Sequence, residues 1–140
     1  MGFLDSILGN GSASAAPEGE GALRVVVRFM PLRLSAMRAN KINMVVSVKN
    51  DSNEPKLVSV DAMVSRSAFI GFDNACAQKH CEKRVGEIKP NASMEIAVPI
   101  FASGQTKAGE YGVSVIAYSH YLDYNKVIGQ TRKTTNLRVV

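Results

Sequence analysis

The most chemically suggestive cluster in this chain of 140 residues is formed by Cys76, His80 and Cys81, with Asp73 nearby. Thiols, an imidazole and a carboxylate are the ligand types that zinc takes in proteins. Structural zinc sites usually combine two closely spaced ligands with a second pair elsewhere, and His120 is the only other histidine or cysteine. We therefore predict no metal site, and we keep a thiol- or metal-dependent protein that uses the Cys76-His80-Cys81 loop as an alternative.

The two cysteines leave two redox states open. A disulfide between Cys76 and Cys81 would close a small loop and imply an oxidising compartment, whereas a reducing cytosol keeps both as free thiols. As a nucleophile, either thiol would need a base in space, and adjacency of His80 in sequence does not supply one. The glycines match no phosphate-binding loop, and the carboxylates are dispersed. We predict no catalytic residue, no cofactor and no enzymatic activity.

The charge of the chain is unevenly distributed. All 17 basic residues and nine of the 12 acidic ones follow position 22, so the rest of the chain carries +8 while residues 1–22 carry −3. A basic domain is compatible with nucleic acid or an acidic partner. A nucleic-acid-binding module is therefore an alternative function, with Tyr118, Tyr121 and Tyr124 as candidates for base stacking. The basic candidates for partner binding are Arg24, Arg28, Lys83, Arg84, Arg132 and Arg138.

Residues 1–22 are predicted to be a leader in two parts. In residues 2–9 an amphipathic pattern places four apolar side chains on one helical face: Phe3, Leu4, Ile7 and Leu8. Eight residues cannot hold a helix alone in water, so this tip needs a surface. Residues 10–22 are small, polar and glycine-rich, which is typical of a flexible linker. We expect the tip to dock on a protein partner or to make peripheral contact with a membrane.

No stretch of the sequence has the roughly 20 apolar residues that a transmembrane helix requires. The N-terminus also lacks the basic start and apolar core of a secretory signal. The expected location is the cytoplasm, or the extracellular space if the N-terminus has been processed.

From residue 23 onward, apolar and polar residues alternate with the period of a half-buried β-strand. We predict strands in ranges 23–29, 42–49, 57–65, 67–72, 94–100, 111–121 and 127–140, an edge continuation within 32–38, and a bulge at Gly129. Residues 66–85 are predicted to be mainly an irregular loop. The pattern of short strands separated by turns indicates an all-β sandwich of about seven to eight strands over residues 23–140.

Three stretches resemble immunoglobulin-like sandwich modules of the CARDB and fibronectin type III kind. They are a strand followed by an asparagine turn (44–52), a turn around Pro90 and Asn91 (86–93), and a tyrosine corner at Ala108–Tyr111. The resemblance implies an immunoglobulin-like antiparallel β-sandwich without a catalytic site, because such modules mostly scaffold, adhere or extend other domains. We therefore expect a structural or interaction module that binds another protein, or itself, through a strand edge or the 66–85 loop.

Overall fold

The computed structural model describes residues 22–140, which form nine β-strands in two sheets and contain no helix. The predicted leader therefore lies almost entirely outside the described residues. The strands are β1 (Leu23–Met30), β2 (Arg33–Leu34), β3 (Asn40–Asn50), β4 (Lys56–Val64), β5 (Ile70–Gly71), β6 (His80–Ile88), β7 (Ser93–Ala102), β8 (Gly109–His120) and β9 (Val127–Val139). The all-β prediction is confirmed for this part of the chain.

The strands form a four-stranded sheet in the order β1-β3-β7-β5 and a five-stranded sheet in the order β2-β9-β8-β4-β6. Their alternating apolar side chains meet between the sheets in one hydrophobic core. The most deeply buried large side chains include Leu34, Ile42, Met44, Ile70, Ile88, Ile100 and Leu137. Alternation of this kind buries one face of each strand and leaves the other to water.

Four details of the predicted architecture are wrong. There are nine strands rather than seven or eight, although only seven have eight or more residues. The sheets are not purely antiparallel, because β2 pairs with β9 in parallel. Residues 80–85 are not loop but belong to β6, which hydrogen-bonds to β4 despite the mostly polar sequence of its first half. The predicted strand at 67–72 is reduced to the two residues of β5.

The tyrosine corner is confirmed. The hydroxyl of Tyr111 donates a hydrogen bond to the carbonyl of Lys107 (2.6 Å), and its ring packs against the core. At the same end of the molecule, the backbone nitrogen of Val140 donates to the carbonyl of Leu34 (2.9 Å), which fastens the last residue beside β2.

At the other end, two turns are joined by the buried side chain of Asn50. Its amide nitrogen donates to the carbonyls of Glu54 (2.8 Å) and Ile88 (2.9 Å), and its amide oxygen accepts from the backbone nitrogen (2.9 Å) and hydroxyl (2.6 Å) of Ser52. Every donor and acceptor of the Asn50 amide therefore has a partner, which is why this polar residue can be fully buried (0% exposed).

We predict that Asn50→Ala lowers the free energy of unfolding by about 2 kcal/mol, because it removes the buried hydrogen bond to the carbonyl of Ile88. Asn53→Ala, an exposed position in the same turn, should change it by less than about 0.5 kcal/mol. Urea unfolding should give a lower midpoint for Asn50→Ala with an unchanged slope. Equal midpoints for the two variants would contradict this role of Asn50.

Candidate interaction site

The structure does not bring the predicted cysteine–histidine cluster together. His80 and Cys81 are consecutive residues of β6, so their side chains point to opposite faces of the sheet. His80 pairs on the outer face with Asp61 (Nε2 to Oδ2, 3.4 Å), whereas Cys81 packs against the core. Among residues 22–140, no three His, Cys, Asp or Glu side chains are grouped so that they could hold a metal ion.

Cys76 lies apart from Cys81, in the segment that crosses from one sheet to the other. Both Cys76 and Cys81 are free cysteines in the structure. Cys76 is buried with φ 56°, and its thiol donates to the carbonyl of Phe101 (3.4 Å). Burial raises the pKa of the Cys76 thiol, and Asp73 adds to the rise while Lys79 opposes it. The reactive thiolate is therefore disfavoured at this position.

The crossing segment itself, residues 65–79, is fastened to the body of the domain. Lys79 Nζ donates to the carbonyls of Ala68 (2.7 Å) and Ile70 (2.6 Å). The carboxylate of Asp73 accepts from the backbone nitrogens of Ala77 (2.8 Å) and Gln78 (3.0 Å). An open cleft of about 590 Å³ borders this segment, but its lysine is already engaged with backbone carbonyls.

The six basic candidates are spread over both sheets. Arg24 and Arg28 lie on the outer face of the four-stranded sheet, where they pair with Asp51 (2.9 Å) and Glu95 (3.3 Å). Among the six, Arg24 and Arg132 alone share a described cleft, of about 410 Å³, which runs between β1 and β9. Arg138 lies at the far end of β9, and Lys83 and Arg84 lie on β6 at the opposite edge of the five-stranded sheet. The apolar candidates Phe3, Leu4, Ile7 and Leu8 lie outside the described residues.

The sequence analysis missed an apolar surface at the tip of the hairpin that joins β8 and β9. Four large apolar side chains within eight residues are each at least half exposed, and we call them the hairpin-tip patch: Tyr121, Leu122, Val127 and Ile128. Leu122 is 76% exposed and has φ 69°, a left-handed conformation that is unfavourable for a residue with a Cβ. The alternation pattern ends before this turn, so it gave no signal for these residues.

A β-bulge shapes one side of the hairpin-tip patch. Ser119 is opposite Gly129, but His120 is opposite Val127, so Ile128 is an extra residue in β9. The predicted bulge at Gly129 is therefore confirmed to within one residue. Val127 and Ile128, which lie at this bulge, are both about half exposed.

A cluster on the outer face of the five-stranded sheet supports the turn of this hairpin. Tyr124 folds back so that its ring meets the edge of the His120 ring (centroids 5.1 Å apart), and the guanidinium of Arg84 stacks on Tyr124 (4.8 Å). Arg84 lies on this face by ordinary alternation, and a second bulge follows it, where Val58 is opposite Gly86 but Ser59 is opposite Arg84. Gly86 has φ 96°, a conformation that favours glycine.

His120 lies beneath this turn in hydrogen-bonding contact with Ser59 (Nε2 to Oγ, 2.7 Å). A serine next to a histidine is the arrangement of an activated nucleophile, but here Ser59 is 2% and His120 7% exposed. The Nδ1 atom of His120 has no partner among the described residues. The contact joins β4 to β8 beneath the hairpin turn, out of reach of solvent.

The comparisons with known proteins concern the fold. The chain is similar to the Pseudomonas fluorescens alkylpurine DNA glycosylase AlkC bound to DNA containing an abasic site analog (10% identity, TM-score 0.51, covering 84% of this chain and 30% of that chain). It is also similar to E. coli alpha-2-macroglobulin in its native conformation (12% identity, TM-score 0.53, covering 83% and 6%). A third similar structure is the PapD-like domain 7 of human CEP192 (10% identity, TM-score 0.45, covering 90% of each chain).

The chain spans less than a third of the length of the first two of these proteins. At such low identity the likeness shows the fold alone, an all-β domain of two sheets. No family model matches the chain, and no curated protein does. Within residues 22–140 there is no helix long and apolar enough to cross a membrane.

The environment of His120 predicts a pH dependence of stability. Burial lowers the pKa of His120 below its ordinary value of 6.5, and Arg84 lowers it further, while Glu82, Asp123 and Asp61 act in the opposite direction. In the unfolded chain this histidine takes up a proton as the pH falls through about 6.5, before the folded state does. The free energy of unfolding should therefore be greatest above this pH and should fall below it.

Urea unfolding at pH 7.5, 6.5 and 5.5 measures this effect, with pH values chosen around the ordinary histidine pKa of about 6.5. His120→Gln removes the titrating group and keeps an amide that can donate to Ser59, so its stability should depend less on pH than that of the native chain. An equal loss of stability in both proteins would assign the pH dependence to other groups.

Proposed function

We propose that this chain is a non-catalytic interaction module of the immunoglobulin-like sandwich type, which binds a protein partner through the hairpin-tip patch. The single observation that carries the proposal is the concentration of exposed apolar surface in Tyr121, Leu122, Val127 and Ile128 at one end of the domain. Exposed apolar groups that stand together, rather than scattered, are typical of protein-binding surfaces. Tyrosine is also among the residues that contribute most to the energetics of protein interfaces.

The conformation of the turn supports a binding role. A left-handed backbone at a leucine costs roughly 1 kcal/mol, and such strain persists only where the surroundings impose it. Here the turn is fixed by Tyr124 between His120 and Arg84 and by a hydrogen bond from the backbone nitrogen of Tyr121 to the carbonyl of Lys126 (2.8 Å). A fixed apolar tip loses little conformational entropy when it binds.

The free edge of β6 and the segment 65–79, which lies within the expected 66–85 loop, are less suitable for binding a partner. The free edge of β6 is rich in charges, with Glu82, Lys83, Arg84 and Glu87, and charged side chains on an edge disfavour pairing with another strand. The segment 65–79 is fastened to the domain by Lys79 and Asp73. Self-association through a strand edge is therefore a secondary possibility within the same proposal.

A basic nucleic-acid-binding module is the second candidate function. The cleft between β1 and β9, with Arg24, Arg132 and Lys133, is the observation that favours it. However, Asp51 pairs with Arg24 in the same cleft, and Arg132 donates to Ser114 Oγ (2.9 Å). Binding to mixed oligonucleotides that weakens steeply with salt would support this candidate over the protein-binding one.

Leu122→Asp and Leu32→Asp form a matched pair for testing the proposal. Both leucines are highly exposed, at 76% and 72%, but Leu32 follows β1 and lies away from the hairpin-tip patch. Aspartate is tolerated in the left-handed region better than leucine, so Leu122→Asp should fold at least as stably as the native chain. We predict that it weakens partner binding by tenfold or more, in keeping with the roughly 2 kcal/mol typical of a central interface residue.

The measurement is quantitative affinity capture of partners from extracts of the source cells, followed by titration of the recovered partner. Leu32→Asp should bind like the native chain. Sedimentation of each protein over a range of concentrations identifies self-association. Equal affinity of the two variants for the partner would contradict the assignment of binding to the hairpin tip.

A further inference from the structure

We propose that the end of the domain opposite the hairpin-tip patch binds an anionic membrane surface. The loops at this end, beside the tyrosine corner, present two large apolar side chains that are at least half exposed, together with exposed basic side chains. We call these residues the corner-end surface: Met37, Arg38, Arg66, Phe69 and Lys107. This site is separate from the hairpin-tip patch, so the inference goes beyond the proposed function and does not depend on it.

The fold brings three connections together at this end. Ala102, the last residue of β7, is opposite Asn40, the first residue of β3, and also opposite Ile70, the first residue of β5. The connections that leave or enter the sheets here are therefore side by side, in residues 35–39, 65–69 and 103–108. The exposed side chains of Met30 and Leu32 lie outside this group, since they precede β2 on the flank of the domain.

The buried residue Thr106 holds Met37 and Phe69 near each other. Its carbonyl accepts a hydrogen bond from the backbone nitrogen of Met37 (2.7 Å), and its hydroxyl donates to the carbonyl of Phe69. Both contacts use backbone atoms of the two apolar residues. The structure therefore fixes the positions of Met37 and Phe69 while leaving their side chains at the surface.

The turn around Met37 is fixed in a conformation that a methionine disfavours. Met37 has φ 60°, which lies in the left-handed region. The amide of Asn40 closes the turn, because its oxygen accepts from the backbone nitrogen of Ser35 (2.9 Å) and its nitrogen donates to the carbonyls of Ser35 (2.9 Å) and Arg38 (2.8 Å). An apolar side chain on such a fixed turn can be buried against another surface at little cost in conformational entropy.

The three connections are positively charged. They contain no carboxylate, and their basic residues are Arg38, Arg66 and Lys107. Within residues 22–140 none of these three side chains forms an ion pair. Two carboxylates follow the connections in sequence, and both have other neighbours. Asp73 accepts from backbone nitrogens of its own segment, and Glu110 is opposite Arg138 in β9.

This combination of side chains fits an anionic membrane better than it fits nucleic acid. Basic residues are attracted to negative headgroups, and apolar side chains can enter the boundary between headgroups and acyl chains. Phe69 is the one aromatic residue of the three connections, whereas binding of single-stranded nucleic acid relies on several aromatic side chains. The hairpin turn at residues 121–128 lacks the excess of positive charge, because it contains both Asp123 and Lys126.

Binding through the corner-end surface would leave the other end of the domain accessible. Strand β8 begins at Gly109 beside the tyrosine corner and ends at His120 beside the hairpin turn. The hairpin-tip patch would therefore be directed away from the membrane, and the two surfaces can be occupied at the same time.

An introduced tryptophan tests the inference directly, because the native chain contains none. In the full chain, the fluorescence of Met37→Trp should move to shorter wavelength when vesicles of phosphatidylcholine and phosphatidylglycerol are added, but not with phosphatidylcholine alone. Leu122→Trp is the matched control, since Leu122 is also exposed and left-handed (φ 69°) but lies in the hairpin-tip patch. Its fluorescence should be unchanged by either vesicle.

Cosedimentation with the same vesicles measures the contribution of charge. Arg38→Glu/Arg66→Glu should lower binding to phosphatidylglycerol vesicles by tenfold or more, because each basic residue near the membrane contributes to the attraction. Lys89→Glu/Lys126→Glu makes the same change of charge at exposed positions of the hairpin end and should lower binding less than threefold.

The contribution of the apolar side chain is measured in the same way without any change of charge. Met37→Asn should lower vesicle binding threefold or more, because it removes apolar surface while asparagine is well tolerated in the left-handed region. Leu122→Asn, the same change at the hairpin tip, should bind vesicles like the native chain.

Equal vesicle binding by the native chain and Arg38→Glu/Arg66→Glu would overturn the inference, as would a fluorescence shift in Leu122→Trp but not in Met37→Trp. Failure to bind vesicles, combined with binding to polyglutamate that Arg38→Glu/Arg66→Glu abolishes, would assign the surface to an acidic protein and also overturn it. None of these results affects the comparison of partner affinity between Leu122→Asp and Leu32→Asp, which tests the proposed function separately.

Discussion

The buried amide of Asn50 is the constraint on which one end of this domain depends. It connects the turn after β3 to the last residue of β6, and its own backbone exchanges hydrogen bonds with Asn91 and Ala92. The turn from β3 to β4 and the turn from β6 to β7 both pass between the two sheets, and they share this one fully satisfied polar group. Because these hydrogen bonds are shielded from water, solvent cannot replace them unless the core opens. The chain also enters β1 at this end, through the bond between Ala22 and Asp51.

Two bulges determine which side chains reach the outer face near the hairpin. The bulge beside Gly86 changes the alternation of β6, so that Ile88 faces the core while Arg84 faces outward. The bulge at Ile128 does the same in β9. A shift of one residue moves side chains to the other face of a sheet, so the first bulge returns Ile88 to the core, and the second lies where two adjacent apolar residues are exposed.

Much of the fold was predictable because it follows from short-range alternation. Strands such as Leu23–Met30 and Asn40–Asn50 have a clear period of two, and the tyrosine corner at Tyr111 is a local motif. The strand at His80–Ile88 was missed because pairing with β4, rather than its own polar residues, stabilises it. The parallel pairing of β2 likewise depends on a partner more than 100 residues away in sequence.

The candidate site was less predictable, because exposure at a turn is a property of the assembled sheets. Nothing in the residue types of Tyr121 and Leu122 distinguishes a covered tip from an open one. The contact between Ser59 and His120 joins strands far apart in sequence, and its significance depends on burial. The cysteine–histidine cluster was predicted from adjacency in sequence, but it is not formed. His80 and Cys81 are neighbours in a β-strand, so their side chains point to opposite faces of the sheet.

The 13 residues of β9 begin at the exposed hairpin and end beside Leu34, where the last residue is fastened. At about 3.4 Å per residue, the strand holds its two ends roughly 40 Å apart. A fluorescent reporter or a surface anchor attached after Val140 would therefore sit at the opposite pole from the hairpin. Immobilisation through this end of β9 would leave the apolar tip directed into solution.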